Sequence, residues 1–143
     1  MAIEYQVKGE LELADNLKHL LLETLGDLAR EDVPESEGVV FRLLVPTVSV
    51  TGFSSGRRKG SGEDAALFFR VLDKARVVEA IDLVTKCVGA LFRKIEGDLS
   101  FWNDDVLLLK RHGRQLRFYE PSNAKDRPFW TVPRRQLMEG PEG

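Results

Sequence analysis

The sequence predicts an α+β fold in which a mostly antiparallel sheet packs against two helices, in the order β-α-β-β-β-α-β-β. Two segments carry apolar residues every three or four positions, as on one face of a helix. Six others alternate apolar with polar residues or form short apolar runs, as strands do. No internal repeat or change of composition divides the chain. Residues 1–135 are therefore expected to form a single domain, followed by a flexible tail at residues 136–143.

The longer predicted helix, residues 73–95, is the element around which the others are arranged. Its apolar stripe must lie against a sheet or another helix. Asp73 is the expected N-cap, and Asp82 and Lys86 are expected to form an i,i+4 ion pair. The shorter predicted helix, residues 15–30, has leucines on its inner face and Asp15 as its expected cap. The stripe of the longer helix consists of Val77, Ile81, Val84, Val88, Leu91 and Ile95.

Six strands complete the predicted fold. In the first, Ile3, Tyr5 and Val7 alternate with polar residues. The others are predicted at residues 39–45, 47–51, 65–72, 106–111 and 114–120, and the last two are joined by a hairpin turn in which Gly113 supplies positive φ. Residues 31–38, 54–64 and 96–105 are predicted to be polar connections or loops. The last hairpin is predicted to have an exposed edge strand, which can pair with a second copy of the chain, so a homo-oligomer is compatible with this fold.

The net charge, apolar content and cysteine count of the chain argue against several classes of function. The net charge of −2 and the pI near 5.8 lack the basic excess that phosphate binding usually requires, so no nucleic-acid partner is expected. The chain has no apolar run of about 18 residues and no signal-peptide pattern, so we expect no membrane association and a cytoplasmic location. The single cysteine, Cys87, cannot form an internal disulfide, which fits a reducing compartment.

The sequence offers no recognisable catalytic or metal-binding motif. Its two histidines, His19 and His112, have no Ser, Cys or carboxylate neighbour that builds a triad, and Cys87 adds no pair at ligand spacing. The acids near residue 100 lack the alternation and the glycine of a calcium loop. We therefore expect no enzyme activity, no catalytic residue, no metal and no cofactor.

Residues 54–64 (SSGRRKGSGED) are glycine-rich and contain the basic run 57–59. The lysine precedes Gly60, whereas a Walker loop needs it after the second glycine. A dinucleotide fingerprint needs a strand before the glycines and a helix after them, and neither is predicted here. A basic loop between strands is the better interpretation. One alternative function remains open, a small-molecule or nucleotide-binding regulatory domain that uses the 54–64 loop as a lid.

Aromatic and acidic residues surround the last predicted hairpin. Trp102 and Trp130 lie near its ends together with Asp98, Asp104 and Asp105. Aromatic anchors rimmed by charge are typical of protein interfaces, and a basic partner would complement the three acids. The other interpretation is that the rings close the open end of the core.

Residues 97–111 (GDLSFWNDDVLLLKR), together with the opening MAIEY of residues 1–5, resemble the Sit-type immunity proteins of bacterial polymorphic-toxin systems. The family pattern is a Met-Ala-(Ile/Leu)-Glu-Tyr start and a late (Gly/Asn)-Asp-(Asp)-Val-Leu-Leu-Leu strand followed by a basic residue. Residues 1–5 and 103–111 match it, and the resemblance covers under a third of the chain.

This resemblance implies a protein that is coexpressed with a toxin, binds it and protects the producing cell and its kin. It supplies no catalytic residue. We expect stoichiometric neutralisation of a cognate protein toxin, with contacts from Asp98, Trp102, Asp104, Asp105 and Trp130.

Overall fold

The computed structural model describes residues 3–32, 37–59, 62–120 and 129–139. Side chains are described throughout these ranges except at residues 55–59 and 62–64. These ranges contain eight strands, three α-helices and one 3₁₀ turn. The elements in chain order are β1 (Glu4–Gly9), α1 (Asp15–Leu25), β2 (Arg30–Asp32), β3 (Val39–Leu44), β4 (Val48–Lys59), β5 (Gly62–Val71), the 3₁₀ turn (Lys74–Arg76), α2 (Val77–Lys94), β6 (Leu99–Asn103), β7 (Val106–His112), β8 (Gln115–Phe118) and α3 (Val132–Glu139).

The described strands form one sheet in the order β2-β3-β4-β5-β1-β6-β7-β8, and every neighbouring pair is antiparallel. The prediction of an α+β fold with an antiparallel sheet packed against helices is confirmed. β1 lies between β5 and β6, so the first strand of the chain joins the β2–β5 half of the sheet to the β6–β8 half.

The helices lie on one face of this sheet, and the core fills the space between. α2 packs against both α1 and α3. Strand residues alternate between this core and the opposite face, as the pleat of a sheet requires. Phe69 and Phe101 are fully buried, and each such ring contributes roughly 2–3 kcal/mol relative to an exposed one. Helical core residues include Leu17, Leu21, Val84, Val88 and Leu91.

The two predicted helices form, but their ends differ from the prediction. α1 ends at Leu25, because Gly26 has φ +96° and leaves the helical conformation. Asp15 lies in the first turn and Ala14 occupies the N-cap position. Asp73 does cap, although it caps the 3₁₀ turn that leads into α2, accepting from the Ala75 N–H at 3.0 Å.

A third helix, α3, occupies part of the segment expected to be a flexible tail. Residues 136–139 belong to this helix, and Met138 is buried, so the boundary drawn at residue 135 is too early. Residues 140–143 lie outside the described residues. α3 docks closely on α2, since a Cβ added at Gly89 would lie 2.6 Å from the Leu137 carbonyl oxygen. Asp82 pairs with Arg134 of α3 at 2.9 Å, in place of the expected pair with Lys86.

Three of the predicted connections contain strand residues. Residues 54–64 continue the β4–β5 hairpin, with Arg58 paired to Glu63 and Lys59 to Gly62 after a register shift, while residues 60 and 61 lie outside the described residues. Main-chain hydrogen bonds hold an antiparallel ladder whatever its side chains, so a loop-like composition does not prevent pairing. Residues 99–103 form β6 and residues 30–32 form β2, within connections predicted to be polar loops or helix. No helix within the described ranges is long and apolar enough to span a bilayer.

Candidate binding surface

Trp130 lies in the core, on the helix-covered side of the sheet. Its side chain is 7% exposed, and its indole N–H donates to the Leu108 carbonyl at 2.8 Å. Its ring meets Phe118 edge-on, with centroids 4.8 Å apart. The Glu120 carboxylate accepts from the backbone N–H groups of Phe129 and Trp130, both at 2.9 Å. Trp130 therefore closes the end of the core, and it has too little exposed surface to anchor a partner.

Asp104 and Asp105 form the exposed turn between β6 and β7, called the acidic tip below. Asp104 has φ +50°, a left-handed conformation that Asp tolerates better than most residues. Its N–H donates to the Glu4 carbonyl at 3.3 Å, and the Asn103 side-chain amide donates to the same oxygen at 3.1 Å. The tip is thus fixed to the start of β1 and presents two carboxylates to solvent.

Asp98 lies at the other end of β6 and organises the β7–β8 turn. Its carboxylate accepts from the Gly113 N–H at 3.1 Å and contacts His112 Nδ1 at 2.9 Å. The Gly113 hydrogen bond is the main reason that the pKa of Asp98 is below its usual range, with a smaller contribution from His112. Its backbone carbonyl accepts from the Glu10 N–H at 3.0 Å. The carboxylate and the backbone carbonyl of Asp98 are therefore already hydrogen-bonded within the fold.

The five residues predicted to contact a toxin do not form one site. Asp98 and Asp104 lie at opposite ends of β6, about 20 Å apart at the usual rise per residue of a strand. Trp102 and Trp130 lie on opposite faces of the sheet, because Phe101, next to Trp102, points into the core beside Trp130. The structure brings together Trp102 and the acidic tip, which are adjacent at one end of β6.

Trp102 lies on the face of the sheet that no described helix covers, called the uncovered face below. Its indole N–H donates to Ser100 Oγ at 2.8 Å, and the Lys8 ammonium lies 5.2 Å from the ring centroid. This placement differs from the prediction, in which residues 96–105 form a loop. The alternation of Leu99 and Phe101 with Ser100 and Trp102 is the signal that could have found it.

Cross-strand pairing arranges the uncovered face in rows. Across the strands from β4 onwards, one row ends on β7 and the next on β8, and β3 extends these rows through Arg42 and Val39. Phe53 is 39% exposed and meets Phe68 edge-on, with centroids 6.3 Å apart. The first row, here the aromatic row, consists of Thr51, Phe68, Gln6, Trp102 and Leu107. The second, here the basic row, consists of Phe53, Ala66, Lys8, Ser100, Lys110 and Arg117.

The charge of the uncovered face is opposite in sign to that of the whole chain. Its described side chains include six cations and two acids, whereas the chain as a whole carries −2. One of the two acids, Asp32, pairs with Arg42 at 3.7 Å. The cations are Lys8, Arg30, Arg42, Arg70, Lys110 and Arg117, and the acids are Glu4 and Asp32.

A groove with the opposite charge runs between α1 and the segment that follows α2. Four acids and one cation line it, together with the apolar residues Leu17, Leu20 and Ile95; the charged residues are Glu10, Glu12, Glu23, Glu96 and Lys94. His19 also lines this groove. The acids are too far apart along the sequence for their clustering to be predicted.

Two further titratable groups are buried and neutral at physiological pH. Burial raises the pKa of the Cys87 thiol to about 12, and burial also raises the pKa of the Tyr5 hydroxyl to about 12. A thiol held in this form is a poor nucleophile. Within the described part of the chain, no group of three His, Cys, Asp or Glu side chains is placed to hold a metal ion.

The lid required by the nucleotide-binding alternative falls on the β4–β5 hairpin. Its backbone is paired through Lys59 and again from Gly62, and nothing is described of the side chains at 55–64. No described contact favours this alternative. The chain matches no known family model, no curated protein and no solved structure.

Proposed function

We propose that this chain is an immunity protein that binds a cognate bacterial toxin and neutralises it stoichiometrically. One observation carries the proposal: the two segments that resemble Sit-type immunity proteins meet in space. Residues 3–5 and 103–106 are about 100 positions apart in the chain, yet Tyr5 pairs with Asn103, and the Glu4 carbonyl accepts hydrogen bonds from the Asn103 side-chain amide and the Asp104 N–H.

The contacts of these two segments separate structural residues from residues free to bind. The side chain of Asn103 and the positive φ of Asp104 maintain the turn. Asp105 is exposed, and Trp102 is only partly buried. A toxin surface with a basic patch fits the acidic tip, since complementary charge accelerates association and sets orientation. Trp102 then supplies an apolar anchor beside the charged contact.

The test is coexpression with the product of the adjacent reading frame, with bacterial growth and co-purification as readouts. The wild-type chain is expected to restore growth and to co-purify with that product at one-to-one stoichiometry. Failure of both growth rescue and co-purification refutes the proposal.

Three variants test the contact surface. Asp105→Lys reverses the free charge of the tip and is expected to weaken binding at least tenfold, because charge-pair couplings across interfaces reach several kcal/mol. Asp104→Gly removes the second carboxylate while keeping the left-handed turn accessible. Asp27→Lys is the matched control, since Asp27 is exposed in the turn after α1 and makes the same change of charge. Equal protection by the tip variants and the control would place the toxin contact elsewhere.

A further inference from the structure

We propose that the uncovered face of the sheet binds single-stranded nucleic acid, with bases on the aromatic row and phosphates on the basic row. The slightly negative net charge of the chain predicts no nucleic-acid partner. Net charge is an average over the whole chain, however, and the fold places six cations on one face.

The aromatic row provides surfaces on which bases can stack. Phe68 and Trp102 lie on β5 and β6 with Gln6 of β1 between them, so the rings are two strand spacings apart, about 10 Å. Single-stranded bases stack on exposed aromatic rings with little regard to sequence. The Gln6 amide lies between the rings and can hydrogen-bond the edges of bases.

The basic row lies two residues along the strands from the aromatic row, about 7 Å away. Lys8, Lys110 and Arg117 are exposed there, whereas the Ser100 hydroxyl between them already donates to the Lys8 carbonyl and accepts from the Trp102 indole N–H. A backbone running across the strands can therefore place phosphates near these cations while its bases reach the rings. Single-stranded nucleic acid combines planar apolar groups with regularly repeated negative charge, which an acidic polypeptide does not.

The existing contact between Lys8 and Trp102 does not close this surface. The ammonium lies 5.2 Å from the ring centroid, and the lysine is exposed. An exposed cation–π contact is weaker than the stacking of a base on an aromatic ring. A base can therefore displace the ammonium, which then becomes available to a phosphate.

The test uses the full chain without any toxin, so its failure leaves the proposed immunity function untouched. Fluorescein-labelled dT12 and rU12 are titrated with protein, and anisotropy is measured at 50 mM and 200 mM salt. If three phosphates are contacted, the affinity should fall roughly twentyfold between these salt concentrations, from the single-strand slope of about −0.7 per contact. No measurable binding at 50 mM salt refutes the proposal.

Variants separate stacking from simple charge attraction. Trp102→Ala should weaken binding at least about fivefold, and Trp102→Phe should restore most of it because a ring remains. Lys8→Glu with Lys110→Glu should abolish binding. Lys74→Glu with Lys86→Glu changes net charge equally, but these exposed residues lie in the helical layer, so binding should survive. Circular dichroism and melting temperature confirm that each variant is folded.

Two outcomes would overturn the inference even if binding is seen. If the two double-charge variants lose binding affinity equally, the affinity depends on the net charge of the protein and not on the uncovered face. Competition by poly-glutamate as effective as competition by unlabelled dT12, with no effect of Trp102→Ala, would assign the face to an acidic polypeptide instead.

Discussion

Replacing Arg111 with methionine should destabilise the protein by removing a cap from the end of α2. The Arg111 guanidinium donates to the carbonyls of Phe92, Ile95 and Gly97, the last from Nη2 at 2.8 Å and from Nε at 3.1 Å. It also lies 5.3 Å from the ring centroid of Phe92. The last carbonyls of a helix have no partner within it, and a cation there also interacts favourably with the helix dipole.

The expected loss follows from these contacts. Hydrogen bonds to charged groups contribute about 1.5–3 kcal/mol each, but these carbonyls are partly accessible and water can replace some of the lost bonds. We therefore expect Arg111→Met to lower the unfolding free energy by about 2–4 kcal/mol. For a chain of this length that corresponds to a fall in Tm of about 5–15 °C. Urea denaturation followed by circular dichroism measures the first quantity, and a thermal scan measures the second.

Two variants show whether the cap is the cause. Arg111→Lys keeps the charge and loses the planar fork, so it should lie between the wild type and Arg111→Met. Arg114→Met removes an exposed arginine three residues away and should change stability by less than about 0.5 kcal/mol. An Arg111→Met protein as stable as the Arg114→Met protein would show that the guanidinium contacts contribute nothing.

Three further predictions concern the core, the backbone and pH. Trp130→Phe loses the hydrogen bond to Leu108 and should cost about 1–3 kcal/mol in urea denaturation. Gly9→Ala should cost more than about 3 kcal/mol, because its Cβ would overlap the Asp98 carbonyl oxygen. Gly113→Ala, at φ +62° in open space, should cost only about 1–2 kcal/mol. Because hydrogen bonding lowers the folded pKa of Asp98, its charge stabilises the fold above the unfolded pKa, and this stability is lost as the pH falls. Asp98→Asn should therefore be less stable than the wild type at pH 7, and the difference should shrink below about pH 4.

The sequence predicts best the elements whose apolar residues recur with one period, that of a helix or that of a strand, over the whole element. The stripe of α2 is continuous, and the helix lies within the predicted range 73–95. β6 was missed because its outward residues, Ser100 and Trp102, and the acids that follow it resemble an interface loop. Its inward pair, Leu99 and Phe101, is too short a pattern to outweigh them.

Such local patterns cannot predict features that arise only when distant elements pack together in the fold. α3 is a short polar helix that is held by its neighbour, with Arg134 paired to Asp82 and the Arg93 guanidinium donating to the Leu137 carbonyl. Isolated helices of this length are unstable, so their own sequence carries little signal. The positive charge of the uncovered face also arises from the pairing of distant elements, because the register of each strand pair decides which side chains share that face.

The structure separates the five residues that the sequence predicts to contact a toxin. Trp102, Asp104 and Asp105 lie at one end of β6, whereas Trp130 belongs to the core and Asp98 to a turn. A tryptophan in the core and one that is partly exposed on the opposite face have the same appearance in sequence. Only the pairing of β6 with β1 and β7 decides which ring faces solvent.

The residues on which the family resemblance rests are mostly required by the fold itself. Asn103 and Asp104 fix the tip to β1, Leu108 and Leu109 fill the core, and Arg111 caps α2. A pattern made of such residues preserves the shape of the hairpin whatever the hairpin binds. Under the proposed toxin-binding function, partner choice resides in side chains that do not pack within the fold, such as Asp105 and the outward residues of β6. Substitutions at Asp105 should therefore alter binding without altering stability, and substitutions at Arg111 should do the reverse.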